Sequence, residues 1–230
     1  MSIADLHLLD RAVYVPATET LVVSDLHLGK GADSSIELPV GEREDVLERL
    51  DDHLHRVAPE TVVLAGDVLH SFERIPTGAA ESLDAVIETI RDREATPVVL
   101  EGNHDTMLST ILGGPVRATY VVSDDTVAAH GHALPAKSAS RYVVGHEHPA
   151  IRIEGKRHPC ALDCRDQHDG AAVVVLPAFT RFARGTLVND LDAADSLSPL
   201  VTDLESCRPI VYREKEPLEF PPLGEFRSFL

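Results

Sequence analysis

The sequence predicts an α/β protein in which two β-sheets lie together with helices outside, an α/β sandwich. Three observations carry this. Short β-branched apolar runs recur along the chain, the early ones are separated by segments of helical periodicity, and the later ones follow one another with only turns between. Strand–helix alternation in the first half implies parallel βαβ units, and the strand-rich second half implies antiparallel closure.

In chain order, "AVYV" (12–15) and "TLVVSD" (20–25) open the series as strands. The segment "GEREDVLERLDDHLHRV" follows, placing Val46, Leu47, Leu50, Leu54 and Val57 on one helical face. "TVVLAGD" (61–67) is the next strand. Leu83, Val86, Ile87 and Ile90 then repeat the helical spacing ahead of "PVVLEGN" (97–103). "TYVVS" (119–123), "TVAAH" (126–130), "YVVGH" (142–146), "AIRI" (150–153) and "AAVVVL" (171–176) complete the series, with "HPCAL" as a further strand before a polar turn. Residues 186–206 are acidic and weakly patterned. The ending "EKEPLEFPPLGEFRSFL" reads as a Pro-rich extended tail, with Phe220, Phe226 and Phe229 available for packing. The expected organisation is one domain over residues 1–204, with residues 205–230 packed on it as that tail.

At 230 residues, 43% hydrophobic and 26% charged, the chain can bury a full core. No apolar stretch approaches the roughly 20 residues that span a bilayer. "MSIADLHLLDR" lacks the basic-then-apolar pattern of a secretory signal, so a cytoplasmic location is expected and no membrane partner is. The formal charge is −17, and Lys occurs only at positions 30, 137, 156 and 215. Such a surface suits concentrated salt, which screens self-repulsion, and so suggests a halophilic source. It also argues against loose, charge-driven nucleic-acid binding. Three cysteines, Cys160, Cys164 and Cys207, are an odd set, and no disulfide framework is expected in an intracellular chain. His158, Cys160, Cys164 and His168 fit no common zinc spacing, so buried or turn thiols are the expectation.

The chemistry gathers where strands end. The early strands run into Asp25-Leu-His27, Gly66-Asp67 and Gly102-Asn103-His104-Asp105. Later ones run into His130-Gly131-His132 and Gly145-His146-Glu147-His148. Ligands of α/β sheets bind outside the carboxyl ends of strands, so five such clusters point into one crevice. Asp25 and His27, two apart, would project to the same side of their strand. Imidazole and oxygen donors together suit first-row divalent metals. Two carboxylates, an amide and four imidazoles exceed the needs of one ion and suffice for two sharing a carboxylate.

DxH, GD, GNHD, HG and GHxH, in this order over residues 25–148, resemble the calcineurin-like metallophosphoesterases. The resemblance implies a four-layer α/β sandwich, two central mixed β-sheets flanked by helices, around a dinuclear centre. By matching position, Asp25, His27 and His148 would bind one ion. Asn103, His130 and His146 would bind the other, and Asp67 would bridge. His104 would approach the scissile phosphate as a catalytic residue, and Asp105 would hold its second ring nitrogen. His132 is either a supporting group or incidental. Two divalent ions are implied, manganese first, with iron, zinc or nickel as alternatives.

"GDVLHSF", "HGH" and "LPAFTRFARGTLVN" are similar to archaeal phosphoesterases related to repair nucleases and to bacterial phosphoesterases associated with a DNA ligase. The implied function is phosphodiester hydrolysis by in-line attack of a hydroxide bridging the ions, with DNA or RNA as candidate substrates. Lys30, His70, Arg74 and Arg141 are candidate phosphate contacts on the bordering loops. A small-molecule phosphatase, a cyclic-nucleotide phosphodiesterase and a metal-dead protein-binding scaffold are the competing readings. Oligomeric state is not legible.

Overall fold

The computed structural model describes residues 3, 5–30, 41–70, 75, 78–114, 116–189, 191, 196 and 198–226. Its first sheet holds β1 (His7–Leu9), β2 (Ala12–Val15), β3 (Thr20–Val23), β4 (Thr61–Ala65) and β5 (Thr96–Leu100), in that spatial order. β1, β2 and β3 pair antiparallel, whereas β3, β4 and β5 are parallel. The parallel connections carry α1 (Glu42–Val57) and α2 (Ala79–Asp92), the two helices that the apolar spacing implies. Val46, Leu50 and Leu54 of α1 and Leu83, Val86 and Ile90 of α2 pack on Leu21, Val23, Val62 and Leu64. The intervening residues Val22 and Val63 face the opposite way, as strand alternation requires, and meet the second sheet.

After α3 (Leu108–Leu112) come β6 (Thr119–Val121), β7 (Thr126–Ala129), β8 (Arg141–Val144), β9 (Pro149–Ile153), β10 (Lys156–Pro159) and β11 (Ala161–Cys164). They are followed by β12 (Ala172–Val175), β13 (Thr186–Leu187), β14 (Arg208–Arg213), β15 (Glu216–Glu219) and α4 (Leu223–Phe226). Seven of these strands form the second sheet in the order β15-β14-β11-β12-β8-β7-β6, and β10-β9-β13 form a third. The interior between the two large sheets is Val13, Val22, Val63, Ala128, Val143 and Val174. On the outer side of the second sheet, Tyr142, Val144 and Val173 are covered by Ile151, Val188, Leu200, Leu204 and Phe226. The fourth layer is therefore the small sheet, the coil 198–207 and α4, where the first sheet has α1 and α2.

Three expectations are corrected. The second half is not wholly antiparallel, because β7, β8 and β12 run parallel. Parallel neighbours usually need a helical crossover of a dozen or more residues. Here β7 and β8 are joined by residues 130–140 without helix or strand, which is why the pattern looked antiparallel. The cysteines are also not all thiols: Cys164 of β11 pairs with Cys207, leaving Cys160 free and buried. With Cys164 in a disulfide, no zinc site can use it. Residues 208–219, read from sequence as extended tail, form the β14–β15 hairpin, and β14 pairs with β11. Phe220 and Phe226 meet edge to face, and Phe229 lies outside the described residues.

The disulfide joins positions 43 residues apart, and closing a loop of that size restricts the unfolded chain by about 2–4 kcal/mol. Replacing Cys164 and Cys207 together by Ala should lower unfolding stability by about that amount in urea titrations. Reductant should lower the midpoint of the native chain and leave that of the double variant unmoved. A native chain indifferent to reductant throughout the titration would disprove the pairing.

Candidate metal centre

The parallel segments deliver their carboxyl ends to one place. β3, β4 and β5 run out into Asp25, Asp67 and Asn103, and the parallel pair β7 and β8 into His130 and His146. Beyond the strands the chains stay zipped together. Asp25 N–H donates to Gly66 C=O (3.0 Å), His27 N–H to Asp67 C=O (2.9 Å) and Gly145 N–H to His130 C=O (2.9 Å).

The expectation that Asp25 and His27 converge through strand alternation is corrected, because β3 ends at Val23 and both residues lie beyond it. Both have left-handed backbone, φ 57° and 49°, as do Asp67 (47°), His146 (67°) and His148 (48°). Each such residue carries strain of order 1–3 kcal/mol, tolerated where surrounding bonds fix the chain. Glycine admits the carboxylates at two points. A Cβ on Gly102 would collide with Asp67, and one on Gly145 with Asp25 and Ser24. The segment after β12 closes one side. Phe179 N–H donates to Ser24 C=O, while Arg11 and Arg49 bind the carbonyls of Ala178, Phe179 and Thr180.

Asp67 lies at the middle of the cluster. Its Oδ1 accepts His104 N–H (2.9 Å) and lies 3.3 Å from His130 Nε2; its Oδ2 is 4.0 Å from His27 Nε2. Asp25 Oδ1 is 3.0 Å from His148 Nε2, and His27 Nε2 is 3.2 Å from His148 Nε2. Asn103 Oδ1 lies 3.0 Å from His130 Nε2. Two donor groups result: Asp25, His27, Asp67 and His148 in one, and Asp67, His130 and His146 in the other, with ligand atoms within 4.8 Å of one another in each. Asp67 belongs to both.

Donor atoms 3.0–3.3 Å apart match the edges of a coordination shell whose ligands stand about 2.0–2.2 Å from an ion. Charge leads the same way. Burial, with Asp25 nearby, pushes the Asp67 carboxyl up to about 8. Burial opposes ionisation of Asp25 too, but the imidazoles of His148, His130 and His27 hold it below the usual carboxylate range. Burial pushes His130 and His146 down to about 4 and His27 well below its ordinary value, leaving them in the neutral form that ligates. Among the ligand imidazoles only His148 keeps a raised proton affinity, burial opposing it and the Asp25 carboxylate outweighing burial, so the protons on Asp67 and His148 stand where divalent cations could supply the positive charge.

All seven residues expected to ligate are thus gathered here, with His104 at the rim, its side chain 25% exposed and Nε2 3.8 Å from Asp67 Oδ2. Asp105 is a correction. It does not hold the His104 ring, because Oδ1 accepts Leu69 N–H and Oδ2 accepts Val68 and Gly102 N–H. The buried Asp105 instead locks the loop after β4 to the loop after β5. His70 stands beside the cluster, Nδ1 3.4 Å from His27 Nδ1 and its ring stacked on His104. His132 is exposed, 5.2 Å by ring centroid from His130 and 6.0 Å from His146. Lys30 lies at the border, its backbone N–H bonded to His27 C=O.

Arg141 is no phosphate contact. It is buried at the amino end of β8, paired with both oxygens of Asp5. Arg74 lies outside the described residues. Glu147, Ser196 and Ser198 were missed by sequence reasoning. Ser198 Oγ donates to Gly131 C=O (2.8 Å), and Ser196 Oγ lies 3.4 Å from Glu147 Oε2, so the coil before β14 steadies both late His loops. Separations of 67 and 49 residues leave no local signal for such contacts.

A family model described as calcineurin-like phosphoesterase matches residues 18–138. His146 and His148 lie beyond the matched span yet complete the cluster. Comparison with curated proteins finds no match. Among solved structures, the chain is similar to the crystal structure of the Pseudomonas putida nuclease MPE. Identity is 27%, the TM-score is 0.65, and the match covers 93% of this chain and 94% of that one.

Asp67 sets two expectations. Asp67→Asn should lower the divalent-ion content retained after dialysis to less than half that of the native chain, read by elemental analysis. Because Asp67 is held at about 8, it carries its proton at neutral pH and must lose it when an ion binds. Calorimetry near pH 7 in buffers of different ionisation enthalpy should show release of about one proton, fading above about pH 9 where Asp67 is already ionised. Ion binding without proton release in that range would contradict this.

Proposed function

The chain belongs to the calcineurin-like phosphoesterase family of metal-dependent hydrolases, and from that membership we propose that it cleaves phosphodiesters, as a nuclease, at a dinuclear centre. The observation that carries this reading is the sharing of Asp67 between two donor groups. Asp25, His27, His148 and Asp67 hold one ion; Asn103, His130, His146 and Asp67 hold the other. Manganese is the first candidate for both, since the donors are imidazole, carboxylate and amide with no thiolate. When bound, such ions supply Lewis acidity toward phosphate oxygens and a water nucleophilic near neutral pH.

The remaining roles fall to the protein. The His104 backbone N–H fixes Asp67 Oδ1, so the shared carboxylate is aimed before substrate arrives. The His104 ring lies at the open rim, where it can donate to a non-bridging oxygen or protonate the departing alkoxide. Burial and the neighbouring His148 and Lys30 lower its proton affinity, and an approaching phosphodiester anion would restore it. Asp105 positions His104 by holding both flanking loops. Similarity to the Pseudomonas putida nuclease, together with the motif likeness to repair-associated phosphoesterases, supports a polynucleotide ester. The −17 charge favours a second reading, a small-molecule phosphatase.

Metal-stripped protein supplied with manganese should hydrolyse bis-p-nitrophenyl phosphate and single-stranded DNA faster than p-nitrophenyl phosphate. Preference for the monoester would favour the second reading, and no hydrolysis of any ester would defeat both. His104→Asn should keep the ion content of the native chain while turnover falls by roughly 100-fold or more. Undiminished turnover would remove His104 from the chemistry.

A further inference from the structure

The third sheet reverses the charge of the rest of the molecule. Over the whole chain 38 Asp and Glu oppose 21 Lys and Arg. Yet the stretches 149–160 and 177–189, which form β9, β10, β13 and the approach to β13, contain Arg152, Lys156, Arg157, Arg181 and Arg184 against Glu154 alone. All five cations are exposed. Arg181 faces Asp45 at 3.4 Å, but among the described residues no carboxylate pairs with Arg152, Lys156, Arg157 or Arg184. Elsewhere Arg49, Arg93, Arg141, Arg165 and Arg208 each meet an Asp or Glu.

The register concentrates this charge. Arg152 and Arg157 are directly opposed across β9 and β10, a like-charge pairing that disfavours the sheet unless an anion covers it. Ile151 packs inward, so Arg152 points out. The Arg157 guanidinium bonds the carbonyls of Arg184 and Gly185, which draws Arg184 into the same group without neutralising either charge. The tract also abuts the metal centre. β9 begins immediately after His148, and Thr186 N–H donates to His148 C=O (2.9 Å). Four residue steps along the strand lead from His148 to Arg152, about 13 Å of chain. That distance corresponds to about four phosphates of a stacked strand, too far for one nucleotide to touch both.

We propose that the outer face of the β10-β9-β13 sheet is a track for the phosphodiester backbone of a polynucleotide, leading from Arg152 and Arg157 past Arg184 to the metal centre. This deepens the nuclease reading and rests on it. The acidic remainder of the surface repels the rest of the polymer, so binding is confined to this strip.

The test compares the native chain with a variant carrying Arg152→Ala and Arg184→Ala; Arg157, which ties β10 to β13, is kept. Fluorescence anisotropy with a labelled single-stranded oligonucleotide, without divalent ions, should show affinity at least about tenfold weaker, with the slope of log Kd against log salt reduced by about 1–2. In hydrolysis, the oligonucleotide KM should rise while turnover of bis-p-nitrophenyl phosphate follows the native value. Arg91→Ala, on α2, should change neither. Equal affinity and salt slope in the native chain and the double variant, or a native chain that binds no oligonucleotide, overturns the track. Loss of small-diester hydrolysis by the native chain would instead overturn the nuclease reading, and the binding measurement would stand apart from it.

Discussion

Two buried carboxylates, Asp25 and Asp67, stand at the centre of this molecule, and much of its architecture serves to keep them there. Burying one carboxylate without a counter-charge is expensive, and burying two side by side more so. The protein meets this with backbone N–H groups from His104 and His146, with imidazoles on several sides, and with glycines that let neighbouring chains close in. Parallel pairing in both sheets follows from the same demand. Only strands running the same way can bring five turns to one end of the sandwich. The helices over one sheet and the small sheet, coil and α4 over the other provide the burial that holds those turns still.

Much of this was legible in the sequence. Recurrent β-branched runs located β2 to β8 and β12, though not β1, β14 or β15, and the spacing of Val46, Leu50 and Leu54 located α1. The clusters at strand ends brought the metal-ligand candidates into one crevice because each is short, polar and anchored by an apolar run. What failed to show was whatever depends on distant partners. The parallel β7–β8 pairing was hidden by a crossover with no helix. The Cys164–Cys207 bond was hidden by an odd cysteine count and a separation of 43 residues. Pro209 and Pro217 masked the β14–β15 hairpin, although Pro217 sits in the outermost strand, where its missing N–H breaks no ladder. Asp105 was assigned to a neighbour in sequence, while its carboxylate serves chain segments 36 and 37 residues away.

Charge is distributed with purpose in two layers. Buried charge is matched or poised for a cation, as with Arg141 on Asp5 and Arg49 on Asp45. The net charge is −17, whereas among the described residues the small sheet beside His148 carries Arg152, Lys156 and Arg157 against Glu154. A whole-molecule figure of −17 therefore conceals a local reversal, and averages of this kind say little about what a particular face attracts.

The left-handed turns at Asp25, His27, Asp67, His146 and His148 carry a consequence for how this chain can change over time. Among residues with a Cβ, the types that best tolerate that backbone are Asn, Asp and His, the same types that donate to divalent ions. Conformation and coordination thus filter substitutions in the same direction. A descendant that gave up its ions would still be held near its ancestral spelling at these sites, because Val or Ile there would break the turn. Retention of such residues in a relative would testify to the shape of the loops as much as to any surviving chemistry.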